Sequence, residues 1–261
     1  MSNNCLVTKL IGVVNDDLPK YGVLVAEFTD SVHSASAALG IISKSATKIK
    51  AVDSPLYSTG GTNWGYEVLV PENQEVWVCP SSGKVEIYGK YGIKKLVLTR
   101  GHFAPVDTID LKYCTDLEEL TSALSGELNN LSGLTIMKRL ILQRNSADYH
   151  LTGNLESLAG MTELIQLNLT LCKGLTGQLS SLGNLTKLTN IAIGDTNISG
   201  SIEDFVVAQR TSGRTACEAI DVSWIGSSHV TFNGGTIRNA SNTALSWTSS
   251  TITLDGTTID A

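Results

Sequence analysis

The middle of the chain repeats one order of apolar and polar positions. Residues 161–182 read Met-x-x-Leu-x-x-Leu-x-Leu-x-x-Cys-x-x-Leu-x-Gly-x-Leu-x-x-Leu, and residues 185–205 follow the same order. Residues 134–158 form a third copy with a short insertion that ends at His150. Related Leu/Ile-Thr/Ser-Gly phrases begin at residues 124, 151, 175 and 198, so the spacings are 27, 24 and 23 residues. Self-similarity at this period predicts stacked structural repeats.

Within each copy, apolar residues alternate with other residues at one place. The alternating pairs are Leu140/Leu142, Leu167/Leu169 and Ile191/Ile193. A period of two predicts a strand with one buried face, so we expect the intervening Ile141, Asn168 and Ala192 to point outward.

Three residues beyond each pair is a position that holds Asn145, Cys172 or Thr196. We expect this small side chain to be buried and to bond the backbone of the neighbouring repeat.

Each repeat then passes through a Thr-Gly or Ser-Gly pair, at Thr152-Gly153, Thr176-Gly177 and Ser199-Gly200. Glycine tolerates backbone angles that other residues avoid, and a hydroxyl can bond nearby backbone, so the pair is suited to a tight bend. The Leu-x-x-Leu segment that follows is too short for a regular helix. It predicts a few extended residues and a single helical turn on the convex side.

Weaker copies of the pattern flank these repeats. Upstream, Leu96-x-Leu98 and Ile109-x-Leu111-x-x-Cys114 predict strands. Downstream, an insertion over residues 206–219 precedes further predicted strands at Ile220-x-Val222, Val230-x-Phe232 and Ile252-x-Leu254. Residues 226–261 are rich in Ser, Thr, Gly and Asn and read as a β-type cap over the last repeat.

The first part of the chain does not repeat. Residues 22–28 and 66–78 predict strands, the second broken by Pro71, and the Ala-rich residues 34–42 predict a helix. We therefore expect a small β-rich or α+β unit over residues 1–85, a repeat region over 86–225 and a terminal cap over 226–261.

Side chains at equivalent positions of stacked repeats form columns on an exposed sheet face. We align three columns: Arg144, Leu171, Asp195 and Trp224; Ile141, Asn168, Ala192 and Asp221; Gln143, Thr170, Gly194 and Ser223. From these we select the candidate binding residues of a concave face: Gln143, Arg144, Asn168, Thr170, Asp195, Asp221 and Trp224. The alternative is a solvated sheet face that binds nothing.

Composition and motifs narrow the function further. The chain has 261 residues and a net charge of −6, and it lacks the clustered Lys and Arg of a nucleic-acid-binding protein. Five scattered cysteines without a Cys-x-x-Cys pair indicate neither a disulfide framework nor a zinc site. No nucleophile elbow, His-Glu-x-x-His motif or acid/base pair is present. We predict no enzymatic activity, no cofactor and no metal.

The sequence also bears on location. The first residues lack a basic start followed by a sustained apolar stretch, as a secretory signal has, and no apolar run approaches the ~20 residues of a membrane span. We expect a chain that is cytoplasmic at synthesis, with any association with a particle or surface reached by a signal-independent route.

The pattern Leu-x-x-Leu-x-Leu-x-x-Asn/Cys/Thr-x-Leu/Ile-Thr/Ser-Gly-x-Leu/Ile resembles the leucine-rich repeat family, in its subclass with a Thr-Gly or Ser-Gly turn. The resemblance covers about residues 93–225 and is most specific over 134–205. The opening Asn4-Cys-Leu-Val-Thr-Lys-Leu10, with Asn15 and Leu18-Pro19, is similar to leucine-rich proteins encoded by anaerobic gut bacteria and their phages.

This resemblance implies a right-handed, mainly β solenoid with short helical turns, in the α/β solenoid class. Its concave parallel sheet would bind proteins, or glycans as in some members of the family, in adhesion or in phage or surface association. The alternative is a structural or assembly spacer whose contacts are made by the N-terminal unit or the caps. A third alternative is an enzyme with its site in residues 1–80.

Overall fold

The computed structural model describes residues 24–28, 38–52, 55–58, 62–80, 83–89, 92–99, 103–104, 106–142, 150–213, 221–224, 229–231, 236–238, 244–245 and 258–260. Most of these residues lie in strands, which form sheets of ten, six, five and three strands. The apolar side chains buried between the sheets form one continuous core from Leu39 to Val206.

The N-terminal part of the chain is antiparallel. Its strands are β1 (Leu24–Phe28), β2 (Ala38–Ser43), β3 (Thr47–Ala51), β4 (Leu56–Tyr57), β5 (Asn63–Gly65), β6 (Glu67–Val70), β7 (Glu75–Pro80), β8 (Gly83–Ile87), β9 (Ile93–Thr99) and β10 (Phe103–Ala104). Five of them form a sheet in the order β10-β1-β8-β3-β6. The predicted strands at residues 22–28 and 66–78 are confirmed, the second as β6 and β7 on either side of Pro71.

The predicted helix over residues 34–42 is wrong where the structure describes it, because residues 38–43 form β2. This strand lies between β7 and β9 and pairs with both. Leu39 and Ile41 are fully buried. Gly40 faces the Trp77 ring so closely that an added Cβ would lie 2.8 Å from it. Two paired neighbours and a buried face outweigh the helix preference of the Ala-rich segment.

The repeats follow. Their elements are β11 (Val106–Asp107), α1 (Thr108–Leu111), β12 (Glu119–Thr121), β13 (Leu124–Glu127), β14 (Arg139–Ile141), β15 (Leu151–Asn154), β16 (Gln166–Asn168), β17 (Gly174–Gln178), β18 (Asn190–Ala192), β19 (Asn197–Ser201), α2 (Ile202–Thr211), β20 (Asp221–Trp224) and β21 (His229–Thr231). Short 3₁₀ helices lie at Leu128–Leu131, Leu155–Leu158 and Leu179–Leu182. Each full repeat thus contributes a strand to the ten-stranded sheet, a strand to the six-stranded sheet and a helical turn.

The ten-stranded sheet joins the N-terminal strands to the repeats. Its order is β20-β18-β16-β14-β12-β9-β2-β7-β4-β5, in which β9 is antiparallel to β2 and parallel to β12. Pairing aligns one buried residue from each parallel strand: Leu96, Leu120, Leu140, Leu167 and Ile191. The predicted stacking of Leu140, Leu167 and Ile191 in a dry interior is confirmed.

The predicted bend, extended residues and helical turn are also confirmed. Strands β11, β13, β15, β17, β19 and β21 form the six-stranded parallel sheet. Gly153, Gly177 and Gly200 all have positive φ angles, between 110° and 127°. After β19 the longer helix α2 takes the place of the 3₁₀ turn, and its buried Phe205 and Val206 belong to the common core.

Two flanking alignments need correction. The predicted strand at Ile109–Cys114 is wrong, since α1 occupies Thr108–Leu111, and the strand of this repeat is β12. In the last repeat, Asp221 pairs with Asn190 and Trp224 pairs with Ala192, with a register shift between the two pairs. Asp221 and Trp224 therefore do not align with Ala192 and Asp195, because the irregular pairing displaces β20 along β18.

The C-terminal region contributes a small antiparallel sheet of β22 (Thr236–Arg238), β23 (Ala244–Leu245) and β24 (Thr258–Asp260). The strand predicted at Val230–Phe232 corresponds to β21, whereas the one predicted at Ile252–Leu254 lies outside the described residues. The proposed division at residues 85 and 225 stays a prediction.

Candidate binding face

We call the side of the ten-stranded sheet that points away from the buried Leu140 and Leu167 its outer face. On this face, five side chains from different strands make contact in sequence across the sheet, and we call this set the ladder: Glu75, Lys95, Glu119, Arg139 and Gln166. Backbone pairing places Glu119, Arg139 and Gln166 directly opposite one another. The ladder therefore extends from the N-terminal strands into the repeats.

The charged residues of the ladder alternate in sign along the sheet. Lys95 Nζ lies 2.8 Å from Glu75 Oε1 and 3.7 Å from Glu119 Oε2. One terminal guanidinium nitrogen of Arg139 lies 3.9 Å from the same Glu119 oxygen, and Arg139 Nε donates to Gln166 Oε1 at 3.2 Å. The hydrogen bond with Glu75 raises the pKa of Lys95, against the opposing effect of burial. The ladder thus presents both signs of charge without a net excess of either.

A second column lies beside the ladder on the outer face. It consists of Val97, Thr121, Ile141, Asn168 and Ala192, which are paired strand to strand. Ile141 and Ala192 were expected to be exposed because they point outward, but they are only 8% and 4% exposed. These short apolar side chains lie between rows of neighbours on a continuous sheet, where cross-strand partners cover them. The column beside the ladder is therefore mixed, with covered apolar side chains and the half-buried polar Thr121 and Asn168.

The structure describes three of the seven predicted site residues in full. Asn168 and Thr170 are half-buried, and Asn168 Oδ1 accepts a hydrogen bond from the Thr170 amide at 3.0 Å. Asp195 is exposed and has a φ of 55°. For Asp221 and Trp224 only the backbone is described, and Gln143 and Arg144 lie outside the described residues. Asn168 and Thr170 come together, while the binding role of all seven stays a prediction.

Sequence reasoning missed the ladder. Arg139 and Gln166 stand one residue before the first buried leucine of their strands, a position at which the repeat pattern specifies no residue type. The repeat pattern did not identify Glu119, because it did not predict strand β12. Glu75 and Lys95 lie outside the regular repeats, so the pattern did not apply to them. The only available signal was the change of polar residue type at this position from one repeat to the next.

A row of ion pairs follows the edge where the parallel strands begin. Lys44–Asp116, Lys138–Glu118 and Lys187–Glu163 are separated by 2.7, 2.6 and 2.5 Å. The hydrogen bond with Glu118 raises the pKa of Lys138. The first pair joins the N-terminal strands to the first repeat and the other two link neighbouring repeats, at the surface, where the contribution of an ion pair to stability is small.

The small-residue position in each repeat is structural. Cys172 is buried, and its Sγ donates to the Leu142 carbonyl of the preceding repeat at 3.1 Å, as predicted. Burial raises the pKa of Cys172 to about 12, so this thiol is protonated at neutral pH and is a poor nucleophile. Thr196 differs, because its hydroxyl donates to Ile193 of its own repeat at 2.7 Å. Asn145 lies outside the described residues.

The described part of the chain also bears on two other kinds of site, metal centres and membrane spans. There, no three His, Cys, Asp or Glu side chains are grouped so that they could hold a metal ion. Within the same residues, no helix has the length and apolar character required to cross a membrane.

The class of fold follows from the repeats. Short parallel strands with aligned buried leucines alternate with Thr-Gly or Ser-Gly bends and 3₁₀ turns, which is a leucine-rich-repeat-like arrangement. No family model matches the chain, and no curated protein matches it significantly.

Among solved structures, the chain is similar to the leucine-rich-repeat ectodomain of the receptor kinase SOBIR1 from Arabidopsis thaliana, with 20% sequence identity and a TM-score of 0.32. The match covers 43% of this chain and 65% of that ectodomain. The chain thus spans slightly less than two thirds of the length of that ectodomain.

Proposed function

We propose that the chain is a non-catalytic protein-binding module, a right-handed leucine-rich-repeat solenoid that recognises its partner with the outer face of the ten-stranded sheet. The ladder is the observation that carries this proposal, because it is a surface built from five strands whose side chains contact one another rather than the backbone. The resemblance of the opening residues suggests adhesion or surface association as the setting.

Variation among the repeats supports this choice of face. The aligned interior positions are uniformly apolar, and the bends uniformly carry Thr-Gly or Ser-Gly. The aligned outer positions instead read Glu119, Arg139, Gln166 and Asn190. In a stacked repeat the interior requires the same residues each time, whereas an outer position is free to be set by a partner.

The charge pattern favours a protein partner. Nucleic acids select surfaces of one charge sign, because binding neutralises phosphates with Lys and Arg. Here the ladder alternates in sign along the sheet and ends in the neutral Gln166. A protein surface can complement both signs, and such complementarity fixes the register of docking and excludes wrong partners more than it adds affinity.

The continuous ten-stranded sheet favours one alternative, a structural spacer. Because β9 pairs with both β2 and β12, the N-terminal strands and the repeats share hydrogen bonds. A spacer would transmit position through this sheet and make its contacts elsewhere. An exchange of charges within the ladder separates the two functions, because binding by the outer face depends on those charges and a spacer does not.

The test exchanges charges within the ladder without changing net charge. In the double variant Glu119→Lys with Arg139→Glu, the pair is retained in reverse order and Lys95 meets a like charge. The matched control exchanges the edge pair, Glu163→Lys with Lys187→Glu. Each full-length chain is used to capture proteins from lysate of the cells that naturally produce it, and captured proteins are identified by mass spectrometry.

We expect a protein that the wild type and the edge variant capture and the ladder variant does not. Equal capture by both variants, with unchanged thermal unfolding, would contradict binding by the outer face and favour the spacer.

A further inference from the structure

Trp77 of β7 lies on the outer face of the ten-stranded sheet. Its cross-strand partner on β2 is Gly40, and Gly40 pairs in turn with Val97 of the second column. Residues directly opposite one another on paired strands point to the same side of a sheet. The neighbouring Val76 packs against the core, whereas Trp77 does not. Trp77 therefore continues the second column, across Gly40, into the N-terminal strands.

The Trp77 ring lies flat on the backbone of Gly40. Three carbons of its six-membered ring, Cη2, Cζ2 and Cζ3, would each lie 2.8 Å from a Cβ added to Gly40. A point at equal distances from three atoms of a hexagon lies on the axis through its centre, so the glycine faces one side of the ring. The opposite side is turned away from the sheet. Covering a strand glycine with an aromatic ring stabilises a sheet, which accounts for the side that faces Gly40.

The indole N–H of Trp77 is the second unexplained feature. Among the described residues Nε1 has no hydrogen-bond acceptor, and the side chain is half-buried rather than enclosed. A Trp N–H that leaves water usually has a hydrogen-bond partner. The contact with Gly40 gives no role to this donor or to the outward side of the ring. Together they define a ligand that brings an apolar ring and a hydrogen-bond acceptor side by side.

The residues around Trp77 extend this surface in two directions. On β4, Tyr57 pairs with Cys79, which lies two residues beyond Trp77 on the same face. Diagonal neighbours of this kind are ~7–8 Å apart, within reach of aromatic side chains. In the other direction lies Glu75, the ladder residue that contacts Lys95. Two aromatic residues thus stand at the end of the ladder.

We propose that Trp77 and Tyr57 bind an extended, proline-containing segment of the protein partner, with a proline ring on the outward side of the Trp77 ring and a carbonyl accepting from Nε1. This inference rests on the proposed function. A polyproline II segment has no internal hydrogen bonds, so its carbonyls are free to accept, and such segments dock on surfaces lined by aromatic residues.

Two other occupants of the ring fit less well. An arginine side chain also packs on indole rings, but it has no acceptor for the N–H. A sugar ring brings both an apolar side and acceptors. The ring continues into the ladder, however, and the alternating charges of the ladder favour a protein surface.

The first test uses a displayed library of random dodecapeptides selected against the full-length wild-type chain. Enriched peptides are synthesised, and their affinities are measured for the wild type, Trp77→Phe and Trp64→Phe. Trp77→Phe keeps a ring over Gly40 and removes only the N–H and part of the ring. Trp64→Phe is the matched control, because Trp64 packs against the core instead. Thermal unfolding of both variants checks that they are folded.

We expect the enriched peptides to share a proline whose replacement by alanine weakens binding about tenfold. Binding to Trp77→Phe should also be about tenfold weaker, because the hydrogen bond to the peptide carbonyl is lost, while binding to Trp64→Phe changes less than about twofold. Enriched peptides without a shared proline, equal binding by Trp77→Phe, or a failure to enrich any peptide would each overturn the inference.

The second test observes the indole group directly. The chain has four tryptophans, so NMR of the indole N–H groups gives one signal for each, and Trp77→Phe identifies the Trp77 signal by its loss. Addition of an enriched peptide should move this proton signal downfield, as hydrogen bonding does, and more than the other three. An unmoved Trp77 signal in the presence of saturating peptide would refute the contact.

Two further comparisons separate the alternatives. A glycan array is probed with the wild type and Trp77→Phe, and glycans that only the wild type binds, without peptide enrichment, would assign the ring to a sugar and overturn the proline segment. The lysate capture is repeated with Trp77→Phe. If the ladder variant loses the captured protein and Trp77→Phe retains it, recognition by the outer face stands and the inference about Trp77 fails.

Discussion

The two parallel sheets of the repeats use their outward side chains in different ways. On the six-stranded sheet, hydroxyl oxygens lie near carbonyl oxygens of the preceding repeat: Thr152 near Gly126, Thr176 near Gly153 and Ser199 near Gly177, at 3.3 to 3.5 Å. Two contacts between side chains accompany them, since the Thr152 hydroxyl donates to Glu127 Oε1 at 2.8 Å and Gln178 Nε2 donates to the Ser199 hydroxyl at 3.0 Å. On the ten-stranded sheet, the ladder contacts join one side chain to another. The first sheet repeats one contact between a hydroxyl and the backbone, whereas the ladder of the second sheet has a different pair of side chains at each step.

This difference explains why one sheet is repetitive in sequence and the other is not. A side chain that bonds backbone must have the same length and hydroxyl in every repeat, because the backbone is the same in every repeat. A side chain that contacts only its neighbours can change whenever the neighbour or a partner changes. Repeated hydroxyl contacts with backbone are therefore a feature of the six-stranded sheet, whereas the ladder residues of the ten-stranded sheet differ from strand to strand.

The most severe way to disrupt both sheets is to change the interior that they share. Leu167→Ala should lower the free energy of unfolding by about 3–4 kcal/mol, because it leaves a cavity in a fully buried column. Gln166→Ala, one residue earlier and pointing outward, should cost about 0.5 kcal/mol or less. Urea denaturation of the two variants measures both values. Equal losses would mean that the residues are not on opposite sides of the sheet.

The bends of the six-stranded sheet should be the next most sensitive positions. At Gly177, with φ of 117°, an added Cβ would lie 2.4 Å from Asn154 Oδ1 and 2.9 Å from the Leu155 amide nitrogen. Gly177→Ala should therefore cost about 2–3 kcal/mol, since backbone strain and a steric clash coincide.

Gly133→Ala is the matched control for this bend, because its nearest neighbour to an added Cβ is the Lys112 carbonyl oxygen at 4.0 Å. Its free energy of unfolding should change by less than about 0.5 kcal/mol. A comparable loss at Gly133 would show that any side chain, rather than the bend geometry, is the cause.

The sequence predicted the repeats where apolar spacing alone determines the structure. Between residues 134 and 205, the first residue of each Leu-x-Leu pair lies in a strand of the ten-stranded sheet, and each Thr-Gly or Ser-Gly pair lies in the six-stranded sheet. The phrase beginning at Leu124 was recognised, but strand β12 before it was missed, because the buried Ser122 stands where the other repeats have the second apolar residue of the alternating pair. The helix predicted over 34–42 was wrong because distant strands, invisible to local propensity, determine the state of β2.

The candidate site was less accessible to prediction than the fold. The pattern located the outer face and its residues Asn168 and Thr170, whose function is a prediction still. It could not locate the ladder, because Glu75 and Lys95 reach this face only through the junction of β9 with β2. Nor could it place Trp77 on this face, since the pairing of β7 with β2 that sets its ring over Gly40 joins segments distant in sequence.

A milder variant examines the hydroxyl bonds of the six-stranded sheet. Thr176→Val removes the hydroxyl that donates to Gly153 and keeps a β-branched shape, so it should cost about 0.5–1 kcal/mol. Thr176→Ser keeps the hydroxyl and should recover most of that loss. Thermal and urea unfolding measure both variants. If Val were as stable as Thr, the repeated hydroxyl would have no role in stacking.

The smallest expected effect concerns the ladder, and its small size is informative. Arg139 and Glu119 are 49% and 35% exposed, and their charged atoms lie 3.9 Å apart. A double-mutant cycle with Arg139→Ala and Glu119→Ala should give a coupling energy of about 0.2–0.5 kcal/mol at low salt, falling towards zero in molar salt. A coupling above about 1 kcal/mol would mean that the ladder, like the hydroxyls of the other sheet, is retained for stability. A weak coupling removes that explanation and leaves two others, recognition of a partner and a solvated face that binds nothing, which the capture experiment with the charge-exchanged ladder separates.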